Sequence, residues 1–294
     1  MKTLKEHITR AVNGTVNILW IGCIMIVIAF VLQVFVFSSF RIPSDSMSPE
    51  LIEGDNVVVC KLTIGPRLFN IFASLRGEKT PVYRLPGFKE IERNDVLVFH
   101  HLHPNTWDKL EMHMMKYYIK RCIGLPGDTL LIQNGFYKIK GTDIQIGNRE
   151  AQTHLSLRNK QTFEESVYIT YPYDSIMQWN IKDFGPLYIP KANDKISMDR
   201  TSYHLYWKLI EWEQQKKLIY KDSLVYLGNQ PISEYQFQKN YYFMGGDKAD
   251  NSQDSRYWGL LPEDYIVGKA WLIWKSSDPY TETYHWKRFF KTID

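Results

Sequence analysis

Ser46, Lys120 and the polar run from Asp247 to Arg256 are the positions whose residue types and settings point to covalent chemistry. Ser46 lies in Arg41-Ile-Pro-Ser-Asp-Ser-Met-Ser-Pro-Glu-Leu51, where two prolines stiffen an extended segment and display a hydroxyl beside apolar Met47 and Leu51. Taken alone, a serine in such a loop is more often a turn former than a nucleophile. Downstream, Tyr117-Tyr-Ile-Lys-Arg-Cys-Ile-Gly-Leu-Pro-Gly-Asp128 sets Lys120 among Ile119, Ile123 and Leu125. A strand of period two turns Lys120 toward an apolar surface and Arg121 away from it. Full burial depresses a lysine pKa by up to about 3–5 units, and a neutral amine at working pH can take the proton of a serine hydroxyl. Without such a partner, Lys120 reads as a surface lysine with its stem laid on apolar neighbours.

The third segment, Gly245-Gly-Asp-Lys-Ala-Asp-Asn-Ser-Gln-Asp-Ser-Arg-Tyr-Trp-Gly259, is too dense in small and charged residues for a plain strand or helix. Asp254 and Arg256 are close enough for a charge-assisted pair, and the Ser252 hydroxyl can hold an amine in one rotamer. Most loops of this kind are solvated turns, and the spacing does not fit a twelve-residue calcium loop. His100, His101, His103 and His113 offer nitrogen ligands. Adjacent histidines rarely converge on one tetrahedral ion without a further anchored ligand, so they read as solvated loop residues, and no metal or cofactor is expected.

Elements must hold these groups in place. Apolar and β-branched runs predict strands over 56–60, 95–99, 117–123 and 129–132. Asn134-Gly135 and Gly228-Asn229 are two-residue hairpin signals. Residues 202–216 predict a helix, with Leu205, Leu209, Ile210 and Trp212 opposite Lys208, Glu211 and Gln215. The Pro- and Gly-containing stretch 64–88 reads as an ordered excursion.

Between Ile18 and Phe37 every residue is apolar or glycine except Gln33, which is long enough for one transmembrane helix. The run exceeds the ~7–15 apolar residues of a cleaved leader, so it reads as a retained anchor. Lys2, Lys5 and Arg10 precede it and predict a cytoplasmic N-terminus, with the remainder outside. The 36 basic and 32 acidic residues form no basic run with interleaved aromatics, which excludes nucleic acid as an expected partner. Cys23, Cys60 and Cys122 sit in unlike settings and imply no disulfide framework.

In this order behind one apolar segment, the three segments resemble the bacterial type I signal peptidases, Ser-Lys peptidases that remove signal peptides from exported proteins. The likeness covers the apolar segment and residues 42–61, 93–99, 118–128 and 243–270. The family pattern Pro-Ser-x-Ser-Met-x-Pro falls on Pro43 to Pro49. It implies Ser46 as nucleophile, with the Ser44 hydroxyl and the Ser46 N–H as oxyanion donors. The family lysine falls on Lys120 as general base. The pattern Gly-Asp-Asn-Arg-Asp-Asn-Ser-x-Asp-Ser-Arg falls on Gly246 to Arg256. It implies Ser252 as the hydroxyl orienting the lysine, Asp254 with Arg256 as a bracing pair, and Asp247 bracing Arg121. Ile42, Met47, Leu51 and Ile119 are implied to line shallow apolar pockets. Lys248 and Ala249 stand where the family usually has Asn and Arg, and Glu50 where a smaller hydroxyl residue is frequent.

The fold implied is mainly β: a single transmembrane helix, then an extracytoplasmic antiparallel β-sheet peptidase domain with an inserted, smaller α+β domain. The boundaries expected are 1–15 for a cytoplasmic N-terminus, 16–40 for the anchor, 41–128 with 241–294 for the catalytic β domain, and 129–240 for the insertion. The activity implied is a serine endopeptidase of the bacterial plasma membrane. Its partners are signal peptides of exported preproteins and the lipid bilayer. The alternatives are a specialised Ser-Lys processing peptidase and a non-catalytic module that binds signal peptides.

Overall fold

The computed structural model describes residues 2–293 apart from 71, 74, 75, 77, 79, 80, 104, 105 and 107. A helix, Lys2–Val31, runs into one π-helical turn, Leu32–Val36. Within it the 24 residues Asn13–Val36 are long and apolar enough to cross a bilayer, and none of them is buried. At about 1.5 Å per residue they reach roughly 36 Å, against a hydrocarbon core of about 30 Å.

The apolar helix expected to run to residue 40 ends at Val36, because Phe37–Arg41 is a strand. Exposure alternates with period two along it, and its backbone pairs with Asp55–Cys60, Phe37 opposite Cys60 and Arg41 opposite Asn56. Lys61 closes the junction. Its ammonium donates to the Gln33 and Val34 carbonyls at 2.8 and 2.9 Å, and its backbone N–H to Val36 O at 2.8 Å. These are acceptors that a helix C-terminus leaves without intrahelical partners.

The chain beyond the helix is mainly β. An antiparallel sheet carries, in spatial order, Phe37–Arg41, Asp55–Cys60, Ile266–Ser276, Val96–His101, His113–Gly124, Tyr241–Gly245 and Leu261–Pro262, with Lys291–Thr292 added to Ile266–Ser276. Val96 to Phe99 is buried throughout because apolar clusters cover both faces of the sheet there. Leu97 and Phe99 join a large cluster with Phe243 and Tyr265, while Val96 and Val98 join a smaller one with Ile42, Met47, Leu51, Val57 and Val59.

Between Gly124 and Tyr241 the chain leaves this sheet and builds small ones. Thr129–Gln133 and Phe136–Ile139 form a hairpin whose turn residues, Asn134 and Gly135, take φ of 48° and 84°, as the sequence predicts. Gly228-Asn229 is a second two-residue turn, with Leu227 opposite Gln230.

The predicted helix forms as Arg200–Gln214 and starts at a capping box. Asp199 accepts from Ser202 N, and Ser202 Oγ accepts from Asp199 N, both at 2.7 Å. Lys208, expected on its solvent face, is buried instead. Its ammonium sits 5.7 and 5.6 Å from the centres of the Tyr171 and Trp207 rings, whose faces take the cation in place of water. Of the excursion 64–88, six residues lie outside those described, and the remainder includes a short pairing of Arg67–Leu68 with Tyr83–Arg84.

Candidate active site

The segment carrying Ser46 is pinned at both ends. Ile42 N donates to Asp55 O at 2.8 Å, and Gly54 N returns to Ile42 O at 2.9 Å. Gly54 has φ 89°, and a Cβ there would fall 1.9 Å from Ser277 O, so only glycine allows this closure. Buried Asp55 accepts from Ile52 N at 2.9 Å and pairs with Arg288 at 2.5 Å, while Arg288 also donates to Glu50 O at 2.8 Å. The Glu50 carboxylate itself meets Lys291 at 3.1 Å. Met47 and Leu51 are fully buried, whereas Ser44 and Asp45 stay exposed, so the strap offers the Ser46 hydroxyl at the sheet surface.

Lys120 comes from the long strand His113–Gly124, directly opposite Leu97. Only 4% of its surface is exposed, and its Nζ lies 2.5 Å from Ser46 Oγ. Burial lowers the Lys120 pKa to about 8, against the pull of Asp254, with Arg256 reinforcing the fall and Asp247 and Asp45 opposing it. Ser44 Oγ lies 3.4 Å from Ser46 Oγ.

Arg121, the next residue of the strand, is paired with Asp247. It is buried beside Lys120, because Asp247 meets it with two bonds of 2.7 Å and Asn94 O accepts a third at 2.7 Å. The Asp254–Arg256 pair is likewise bidentate, at 2.8 and 2.7 Å. Gly246 N donates to Asp254 at 2.9 Å, and Arg256 donates to Ala249 O at 2.6 Å. Burial opposes ionisation of Asp254, yet Arg256, the Gly246 N–H and Lys120 outweigh it and hold the carboxyl below its ordinary range. Such pairs stabilise only because both charges keep their partners.

Ser252 is buried, and its Oγ finds no hydrogen-bond partner. The contact expected between Ser252 and Lys120 is therefore not a hydrogen bond in this structure. The loop approaches the strap closely at Gly246, where a Cβ would lie 2.0 Å from Ser252 Oγ and 2.7 Å from Ser46 O. Sequence reasoning gave Gly246 no role, although the Gly-Gly pair opening the loop was its signal.

Three residues expected to line pockets sit elsewhere. Ile42, Met47 and Leu51 are 2%, 0% and 0% exposed and belong to the smaller core cluster, so a substrate cannot touch Met47 or Leu51 without moving the wall in front of them. Ile119 is half-buried, packs on that cluster and keeps free surface.

The histidines also differ from expectation. His100 and His101 belong to strand Val96–His101, and His100 and His103 are buried. Arg67 donates to His100 Nε2 at 2.9 Å, and burial together with that cation pushes the His100 pKa down to about 3. Among the described residues, no three His, Cys, Asp or Glu side chains gather as a metal site.

Lys248 and Ala249, the two departures in the loop, occupy different surroundings. Ala249 is buried in a cluster with Leu155 and Ile181. Lys248 pairs with Asp45, a contact between residues 203 positions apart that no local pattern announces.

A family profile described as signal peptidase, peptidase S26, matches residues 15–275. The chain is 30% identical over 260 residues to a signal peptidase I of Buchnera aphidicola subsp. Schizaphis graminum, covering 85% of this chain and 71% of that one. It is 31% identical over 262 residues to its counterpart from subsp. Acyrthosiphon pisum, with the same coverage of 85% and 71%. To a signal peptidase I of Pseudomonas aeruginosa it is 29% identical over 260 residues, covering 85% of this chain and 68% of the relative.

Proposed function

The chain belongs to the signal peptidase family of S26 serine peptidases, and on that premise we propose that Ser46 and Lys120 form the dyad with which it cuts signal peptides from exported proteins. The observation that carries this reading is the 2.5 Å separation of Lys120 Nζ and Ser46 Oγ in a site that leaves the lysine almost no water.

Lys120 in its neutral form accepts the proton of the Ser46 hydroxyl as Oγ attacks the scissile carbonyl. The ammonium so formed then protonates the departing amine, which leaves an acyl-enzyme. Water, activated by the same amine, releases the acyl group. Ser44, whose hydroxyl lies 3.4 Å from the attacking oxygen, and the Ser46 N–H donate to the developing oxyanion. Asp254 with Arg256 braces the loop internally and Asp247 with Arg121 ties it to the lysine strand, which fixes the amine against the hydroxyl. Ser252 acts at Lys120 only if its unpartnered Oγ turns to the amine when substrate closes the site.

Signal peptides end in small residues at the cut and two positions before it. The partly exposed Ile119, with Ile42, Met47 and Leu51 packed behind it, supplies an apolar wall suited to such residues. Helix Asn13–Val36 is assigned as a single membrane anchor with its N-terminus in the cytoplasm, on the basis of its length and the preceding Lys2, Lys5 and Arg10. It brings Ser46 to substrates held in the same bilayer and raises their effective concentration. Residues 41–128 with 241–294 are assigned as the catalytic domain and 129–240 as an inserted accessory domain, a division supported by the separate small sheets of the insertion.

The nucleophile is tested by treating the full chain with an electrophilic acylating probe and mapping the adduct by mass spectrometry. The adduct falls on Ser46 and is lost in Lys120→Ala; an adduct on another serine with the same dependence on Lys120 contradicts the reading.

A further inference from the structure

Three carboxylates bear on the Lys120 amine: Asp254, Asp247 and Asp45. The first two are bound to Arg256 and Arg121 in buried, bidentate pairs. Asp45 sits one residue before the nucleophile at the solvent edge of the site, and its partner is the Lys248 ammonium. The backbone of Lys248 also reaches the strap, since its N–H donates to Ser46 O at 3.1 Å. Lys248 therefore grips two consecutive residues of the strap from the loop that carries Ser252, Asp254 and Arg256.

We propose that Lys248 is a positioning residue: it clamps the Ser46 strap to the bracing loop and acts as counterion to Asp45, shielding the Lys120 amine from that carboxylate. This inference rests on the reading of Ser46 and Lys120 as the dyad. It accounts for the departure in the loop. Ala249 is only 3% exposed and packs on Leu155 and Ile181, so a long cation there would have to leave its packed site. The cation stands one residue earlier, at Lys248, within reach of Asp45.

The charges that face Lys120 from the packed elements are Asp45 on the strap, and Asp247, Asp254 and Arg256 on the loop. Arg121, its own neighbour in the strand, is committed to Asp247. With Asp247 and Asp254 already neutralised by buried arginines, the free charge on Asp45 is set by Lys248 alone among these contacts. An uncompensated Asp45 favours the protonated lysine, and an uncompensated Lys248 favours the neutral amine.

The test is the pH dependence of kcat/KM for preprotein cleavage by the full chain in detergent micelles, for the wild type, Lys248→Met, Asp45→Asn and the double variant, each shown folded by thermal melting. Lys248→Met moves the rising limb up by about 0.3–0.5 pH unit, a two- to threefold loss near neutrality, as expected for a partly exposed charge. Asp45→Asn moves it down, and the double variant returns close to the wild type. Both single shifts shrink as ionic strength rises, because the pair is open to solvent. A Lys248→Met profile that coincides with the wild type, or is lowered equally at every pH, overturns the inference while leaving the dyad intact. A wild-type profile without a rising limb removes Lys120 as base, and the inference falls with it.

Discussion

Lys120 Nζ and Ser46 Oγ lie 2.5 Å apart although they are 74 positions apart in the chain. Two unlike devices produce the contact. Ser46 is carried by a strap whose ends are sewn to Asp55 and buried through Met47 and Leu51, and Lys120 by the middle of a long strand paired with Val96–His101. Neither device contains a residue of the apolar helix, so the approach of Ser46 and Lys120 is set within the sheet and its strap.

With its pKa lowered to about 8, the amine gains catalytic form as pH rises. The rate of cleavage therefore climbs about tenfold per pH unit below that value and levels above it. A rate independent of pH between 5 and 9, measured on the intact chain, contradicts this.

The same burial costs stability. Between pH about 8 and 10.5 the unfolded chain holds a proton that the native lysine has released, so stability gained from this group grows as pH rises through that window. Below it both states are protonated and the cost of a buried charge is fully present. Lys120→Met, which has no proton to bury, should melt at a higher temperature than the wild type at pH 7, with the difference narrowing toward pH 10. A melting temperature unchanged at neutral pH argues against a strained charge.

Ser44→Ala removes one oxyanion donor and leaves the dyad in place. A loss of about 10²–10³ in kcat with little change in KM is the expected result, because the donor acts on charge that exists only in the transition state. An unchanged kcat takes Ser44 out of the reaction.

Asp254→Ala strands Arg256, which is only 1% exposed, in the interior. Breaking a buried pair on one side costs about 3–5 kcal/mol, so the variant should show a much lower unfolding midpoint in denaturant. Asp254→Asn, which keeps an oxygen for the Gly246 N–H, should lose less. Equal stability of the wild type and Asp254→Ala would show the pair to be dispensable.

Much of this arrangement can be read from the amino acids. The strands around Val57, Val98 and Lys120, both two-residue turns and the helix at Leu205 follow from periodicity and turn chemistry, which are local. The misreadings share one cause. Lys208 and His100 read as solvent-facing by residue type, and Met47 as pocket-lining by resemblance, yet each position is decided by packing that no local pattern shows: against Tyr171, Arg67 and the cluster around Val57 and Val59. Ion pairs such as Asp45 with Lys248 leave no periodic trace at all. The helix end at Val36 was missed for a related reason, because Phe37-Ser-Ser-Phe40 is apolar enough to prolong the span and becomes a strand only through its pairing with Asp55–Cys60.

The central claim is tested most directly by presenting a preprotein with one small-x-small site to the intact chain in liposomes, beside Ser46→Ala and Lys120→Ala variants shown to be folded. The account predicts a single cut after that site by the intact chain and none by either variant. Binding of the preprotein without cleavage by the intact chain, or full cleavage by either variant, would contradict it.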